Sequence, residues 1–107
     1  MRVLLDECVP RPLRRELPGH EVRTVPEMGW AGKKNGALLT LIKGAGFEVF
    51  VTTDQNLEYQ QNLQRVGIPV IVLVALRNTL RSLLPLMPGL RSALERVQPG
   101  EVVHVSV

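Results

Sequence analysis

The segment VFVTTDQN, residues 49–56, takes a continuous apolar run directly into an aspartate flanked by hydroxyl and amide side chains. Such an apolar run is typical of a strand that is buried on both faces, as in a parallel sheet. Aspartate is a poor strand former, so at a strand end it usually forms a turn or belongs to a site. The segment therefore predicts both a class of fold and the end of the sheet where function lies.

The rest of the chain alternates strand and helix patterns around this segment. Four apolar runs predict strands, at residues 3–5, 48–53, 69–74 and 101–107, and an alternating run predicts a fifth at residues 20–25. Helices are predicted at residues 10–17, 35–46, 59–67 and 77–97, the last broken or kinked by Pro85 and Pro88. This alternation predicts an α/β fold with a mostly parallel sheet of about five strands and helices on both faces. We expect one domain, residues 1–107.

Composition excludes several classes of protein. A single cysteine, Cys8, rules out an internal disulfide and a cysteine-based zinc site, which favours a cytoplasmic protein. The apolar stretch at residues 68–76 is far shorter than the roughly 20 residues of a membrane helix, so no membrane partner is expected. The net charge is +3 and ten of the thirteen cationic residues are arginine, which modestly favours acidic partners.

The two aspartates of the chain, Asp6 and Asp54, each follow directly after an apolar strand. In open α/β sheets the ligand crevice lies outside the carboxyl ends of the strands, where the strand order reverses. If the first and third strands are neighbours, the two aspartates face each other there, with Glu7 as a third carboxylate. Clustered carboxylates favour a bound cation, and oxygen ligands suit Mg²⁺ or Mn²⁺. Asn56 could add an amide oxygen or hold a metal-bound water.

Such a site can polarise a phosphate ester and generate a hydroxide nucleophile. We therefore assign Asp6 and Asp54 as the candidate catalytic residues, and assign the metal to both together with Glu7. Each aspartate also has a structural explanation, because Asp6 can cap the helix that follows it and Asp54 can form an Asx-turn.

Several cationic and amide side chains are candidates for substrate binding. Arg11, Arg14 and Arg15 could line a phosphate path to the acidic site, and the adjacent lysines Lys33 and Lys34 flank it from another loop. A solvated helix face and a polar loop explain the same charges equally well. Asn35, the predicted N-cap of the helix at residues 35–46, is placed with Asn56 among the candidate substrate-binding residues.

An ordered set of motifs gives the chain a family resemblance. The motifs are MRVLLDE (1–7), P-x-x-L-R-x-x-L-P-G-H-E-V-x-T-V (10–25), GWAGKKNGALL (29–39), TTDQNLEYQQNL (52–63), IPVIVL (68–73), LLPLMP (83–88) and PGEVVHV (99–105). Together they resemble the uncharacterised PIN-like proteins, small relatives of the PIN nucleases. The resemblance implies a three-layer α/β/α fold, an acidic site for a divalent metal, RNA cleavage and association with a cognate antitoxin.

The resemblance assigns Asp6 to the first acidic position of the PIN pattern and Asp54 to the later one. The chain departs from the pattern at Ala37, where members of the family commonly carry an acid in the motif NGxLL. One carboxylate is therefore missing, which predicts weaker metal binding and a nuclease activity that is weak or absent. The expected fold and the place of the site do not depend on Ala37.

Three functions are compatible with this sequence. The first is a metal-dependent ribonuclease of PIN-like type, or its degenerate descendant. The second is a non-catalytic domain that binds RNA or protein. The third is a receiver-like phosphoacceptor module, which lacks the expected lysine because none follows Lys43. The apolar final strand and the leucine-rich region at residues 80–94 also allow a homodimer, although core packing explains the same residues.

Overall fold

The computed structural model describes residues 1–33, 35–55 and 67–107 and contains one five-stranded sheet. Its strands are β1 (Arg2–Leu5), β2 (Glu21–Thr24), β3 (Val49–Thr52), β4 (Val70–Leu73) and β5 (Val102–Val105). The order across the sheet is β2-β1-β3-β4-β5, and every pairing is parallel. The predicted parallel sheet of about five strands is therefore confirmed.

Helical segments connect the strands. In the described part of the chain they are a 3-10 helix (Arg11–Glu16), α1 (Asn35–Gly44), α2 (Leu80–Leu83), a 3-10 helix (Leu84–Leu86) and α3 (Met87–Arg96). The segment predicted as a helix at residues 10–17 is a 3-10 helix because it is short and its prolines remove backbone donors. Pro85 lies in the 3-10 turn that separates α2 from α3, as its inability to continue an α-helix predicts. The helix predicted at residues 59–67 falls largely outside the described residues.

Helices cover both faces of the sheet. Successive side chains of a strand point to opposite faces, so a continuous apolar strand makes both faces apolar, and each face needs a helix to cover it. On one face Val3, Leu5 and their neighbours on β3 and β4 pack against the first 3-10 helix, α2 and α3. On the other face Leu4, Phe50 and their neighbours pack against α1. The three-layer α/β/α architecture expected from the family resemblance is confirmed.

Gly89 of α3 lies very close to Val105 of β5. A Cβ added to Gly89 would lie 2.8 Å from Val105 Cγ1, so glycine is required for this spacing. Within the described part of the chain, no helix is long and apolar enough to cross a membrane.

Candidate metal-binding active site

The candidate site lies where the strand order reverses. The chain passes from β1 to β2 on one side of the sheet and later returns as β3 on the other side of β1. The register pairs Leu5 with Val51, and the N–H of Asp6 donates to the carbonyl oxygen of Val51 at 2.9 Å. The carboxyl ends of β1 and β3 are therefore level, which confirms that the first and third strands are neighbours. Crevices of this kind are the usual ligand sites of open α/β sheets.

Thr52, the last residue of β3, joins the two candidate acids. Its side chain is completely buried, and its hydroxyl donates a hydrogen bond to Asp6 Oδ2 at 2.7 Å. The same hydroxyl oxygen accepts a hydrogen bond from the N–H of Asp54 at 2.9 Å. One buried hydroxyl therefore sets the orientation of the Asp6 carboxylate and the backbone direction at Asp54.

Both oxygens of the Asp6 carboxylate accept hydrogen bonds. Its Oδ1 accepts a hydrogen bond from the N–H of Glu7 at 2.8 Å, while Oδ2 accepts from Thr52. Burial raises the pKa of Asp6 above its ordinary value, although these hydrogen bonds lower it, and the negative charge of Glu7 raises it further. A cation near this carboxylate would favour its ionised form.

Asp6 and Asp54 line the same cavity, which has a volume of about 350 Å³. We call this the acidic cavity; its lining residues are Asp6, Glu7, Cys8, Thr53, Asp54 and Asn78. The two aspartates are 48 positions apart in the sequence, and the fold brings them to one opening (54 − 6 = 48). Glu7 also lines the cavity but is exposed. The sequence prediction that both aspartates face one crevice thus agrees with the geometry.

Two residues of this site were missed by the sequence analysis. Thr52 carried a weak signal, since it is a polar residue at the end of an otherwise apolar run. Asn78 carried none, because it precedes Thr79, the N-cap of α2, and asparagine in such a loop is an ordinary turn former. Only the return of the chain after β4 brings Asn78 beside the aspartates.

The side chains of the acidic cavity fit a magnesium-type ion better than zinc. Among the residues that the structure describes, no three His, Cys, Asp or Glu side chains form a metal-binding group. The assignment of Glu7 as a third ligand therefore stays a prediction. Magnesium requires fewer protein ligands, since it is usually bound through one or two carboxylates, with waters and substrate phosphates completing its shell. Asp6, Asp54 and the amide of Asn78 offer such a set of oxygen donors.

The predicted substrate-binding cations differ in their surroundings. Arg14 Nη2 donates a hydrogen bond to Glu27 Oε1, and this pairing lowers the pKa of Glu27 to about 2. Arg11 is 70% exposed, and its Nη2 lies 3.6 Å from Glu27 Oε2. Arg15 is exposed as well, so Arg11 and Arg15 are more available to a phosphate than Arg14.

The remaining candidates lie in or beside the first turn of α1, or beyond the described residues. Lys33 is exposed in the loop before α1, and Asn35 begins that helix. Ala37 is exposed in the same first turn and offers no ligand atom. Asn56 lies outside the described residues.

The chain matches a known protein family. A family model described as a PIN-like domain matches residues 1–75. The chain belongs to the PIN-like domain family. The matched residues of this PIN-like domain contain β1 to β4 and both aspartates, whereas Asn78, α3 and β5 lie beyond them. No curated protein and no solved structure matches the chain.

Proposed function

We propose that this PIN-like domain is a ribonuclease that depends on a divalent metal ion, Mg²⁺ or Mn²⁺. The observation that carries the proposal is the acidic cavity, in which Asp6 and Asp54 follow adjacent parallel strands and are tied together through Thr52. Family membership supports it, because PIN-like domains generally use divalent metals.

Each residue has a specific part in the proposed reaction. Asp6 and Asp54 hold the ion, and Asn78 adds an amide oxygen or orients a water. When bound, the ion supplies charge stabilisation for the phosphate under attack and lowers the pKa of a water. Thr52 positions the Asp6 carboxylate, which loses little conformational freedom on binding because both its oxygens are already engaged.

The arginines of the first 3-10 helix supply the electrostatic attraction for RNA. Arg11 and Arg15 are exposed and can pair with phosphate in a bidentate way. Arg14 is already paired with the carboxylate of Glu27. Binding through such contacts weakens as salt rises, because counterions are released from the nucleic acid.

The test is cleavage of a fluorescent single-stranded RNA by purified protein with Mn²⁺ or Mg²⁺. Cleavage should require the metal and should be abolished by Asp6→Asn and by Asp54→Asn, since each substitution removes a charged ligand and preserves the shape of the side chain. Glu95→Gln is the matched control, because Glu95 is an exposed carboxylate of α3 whose loss removes the same charge. Unchanged cleavage in both aspartate variants would exclude the proposal.

One observation favours a second function, a non-catalytic domain that binds RNA. Ala37 stands where the family resemblance places an acid, which leaves two aspartates as the main metal ligands. If the wild type binds RNA without cleaving it in the presence of either metal, this function replaces the nuclease.

A receiver-like module is disfavoured by the end of β4, which carries no Ser or Thr. Labelling of Asp54 by acetyl phosphate would be the observation in its favour.

Partners of the protein are also proposals. RNA is the proposed substrate, and an inhibitory antitoxin rests on the family resemblance alone. A homodimer would place the uncharged edge strand β5 beside a second copy, and the measurement that decides this is the molecular mass in solution.

A further inference from the structure

Two more cavities continue from the acidic cavity along the carboxyl edge of the sheet. The larger has a volume of about 440 Å³ and lies between the turn after β1 and the turn after β2. We call it the Glu27 cavity. It shares Glu7 and Cys8 with the acidic cavity, so the two openings are neighbours. Because the acidic cavity is lined by residues that follow β1 and β3, and the Glu27 cavity by residues that follow β1 and β2, the two cavities lie at neighbouring positions along this edge of the sheet.

The third cavity is a notch formed by the first 3-10 helix. It is lined by Arg11, Pro12, Arg14 and Arg15 and has a volume of about 280 Å³. Arg11 belongs both to this arginine notch and to the Glu27 cavity. The three cavities therefore form a continuous series, from the proposed metal site, through the Glu27 cavity, to a cluster of three guanidinium groups.

The walls of the Glu27 cavity are suited to a flat ring. Val9, Pro10 and Pro26 provide apolar surfaces against which a nucleobase can stack. The polar side chains that line the cavity are Glu7, Cys8, Arg11, Thr24 and Glu27. Apolar walls beside placed polar groups are typical of a site that binds an aromatic ligand and fixes its orientation.

The polar groups of this cavity place an acceptor beside a donor. Glu27 Oε1 already accepts hydrogen bonds from Arg14 and from the N–H of Thr24, the latter at 3.0 Å. Glu27 Oε2 lies 3.6 Å from Arg11 Nη2, which is beyond hydrogen-bond distance. A ligand that offers donors to Oε2 and an acceptor to Arg11 would therefore satisfy both groups.

We propose that the Glu27 cavity binds a guanine base of the RNA, one nucleotide from the phosphate cleaved at the acidic cavity. The proposal deepens the proposed function and rests on it. Guanine presents the acceptor O6 beside two donors, N1–H and the N2 amine, which matches a guanidinium next to a carboxylate. Adenine, cytosine and uracil each present fewer donors next to an acceptor. The phosphate on the far side of the guanine nucleotide then lies against the arginine notch.

The experiment measures binding of free mononucleotides without metal or cleavage. The full chain, in EDTA, is titrated with 5′-GMP, 5′-AMP, 5′-UMP and 5′-CMP and followed by ¹H–¹⁵N NMR. We expect GMP to bind about fivefold more tightly than the other three, since this is the ratio that one additional base hydrogen bond of about 1 kcal/mol gives. The amides of Val9, Thr24 and Glu27 should show the largest shifts.

Two substitutions at matched positions separate base recognition from general charge. Arg11→Ala should remove the preference for GMP. Arg15→Ala removes the same charge from the same 3-10 helix, so it should weaken the binding of all four nucleotides to a similar degree and keep the preference. Glu27→Gln should also remove the preference; if this variant does not fold, Arg11→Ala decides the matter, because Arg11 is exposed. Equal binding of the four nucleotides, or a preference that survives Arg11→Ala, would overturn the proposal.

The outcome is independent of the nuclease test. Cleavage of RNA without selective binding of GMP would remove the guanine site and leave the ribonuclease. Selective binding of GMP without cleavage would remove the ribonuclease and leave a site for a guanine nucleotide.

Discussion

Replacing Thr52 with valine removes one hydroxyl from the fully buried end of β3 and leaves the shape of the side chain almost unchanged. The hydrogen bond lost is the one to Asp6 Oδ2, at 2.7 Å. The N–H of Asp54 also loses its acceptor, in the same way at every pH. The pH-dependent effect should therefore come from Asp6, whose ionised form loses a donor.

The expected magnitude depends on the ionisation of Asp6. A hydrogen bond to a charged group contributes about 1.5–3 kcal/mol, and one between neutral groups about 0.5–1.5 kcal/mol. The buried methyl of valine returns about 0.8 kcal/mol. At a pH where Asp6 is ionised, the free energy of unfolding should fall by about 1–2 kcal/mol. Where Asp6 is protonated in both states, the fall should be smaller.

The direction of the pH dependence follows from burial. Because burial raises the pKa of Asp6 in the folded state, this group contributes stability that is present below the ordinary value of 3.8 and is lost as the pH rises through the folded pKa. Thr52→Val raises the pKa of Asp6 further, so the loss at neutral pH becomes larger. Metal binding should also shift to higher pH, because it requires the carboxylate.

The assay is urea unfolding at pH 7 and at about pH 3.5, together with an NMR titration of the Asp6 carboxyl carbon. Thr52→Ser is the first control, because it keeps the hydroxyl and should lose about 1 kcal/mol at both pH values from the deleted methyl. Thr53→Val is the second, because this neighbour is only half-buried. A loss that is the same at both pH values, with an unchanged titration of Asp6, would refute the reasoning.

Three further predictions concern stability and metal binding. In urea unfolding, Gly89→Ala should destabilise by about 1–2 kcal/mol, because the added Cβ meets a side chain of β5 at 2.8 Å. Gly36→Ala, where nothing lies within 4 Å, should instead stabilise by up to about 1 kcal/mol; the same sign for both would contradict the packing argument. The Arg14 pairing lowers the pKa of Glu27 from 4.5 to about 2. Screened by solvent, the pair should contribute about 1 kcal/mol, which is present above pH 4.5 and is lost as the pH falls towards 2. Glu27→Gln should flatten that part of the pH–stability curve, and an unaltered curve would exclude Glu27 as its source. Ala37→Glu should tighten Mn²⁺ binding in calorimetry, because it restores the family's acid; unchanged affinity would place this position away from the metal.

Sequence patterns predicted the strands and their surroundings well. The continuous apolar runs of β3 and β4 exclude a solvated face, so these strands have to lie inside a parallel sheet with helices on both sides. The position of Asp6 and Asp54 at one edge followed from the same reasoning, because the carboxyl ends of parallel strands lie on one side of a sheet.

The prediction was less complete where distant residues meet. The ion pair between Arg14 and Glu27 connects the first 3-10 helix to the turn after β2. No sequence pattern around either residue predicts this pair. The helix at residues 10–17 was predicted without its 3-10 geometry, because both helix types share the same apolar spacing over so short a segment.

By itself, the sequence determined which segments are buried and on which side of the sheet the acids lie, because burial and strand direction follow from local patterns of apolar residues. Only the tertiary structure decided which groups meet: the Thr52 hydroxyl with the Asp6 carboxylate and the Asp54 N–H, Asn78 at the same cavity, and Glu27 with two arginines. The physical reason is that hydrogen bonds and ion pairs are directional and short. A shift of one residue in the register of β3 would break the hydrogen bonds of Thr52 while leaving the apolar pattern almost the same.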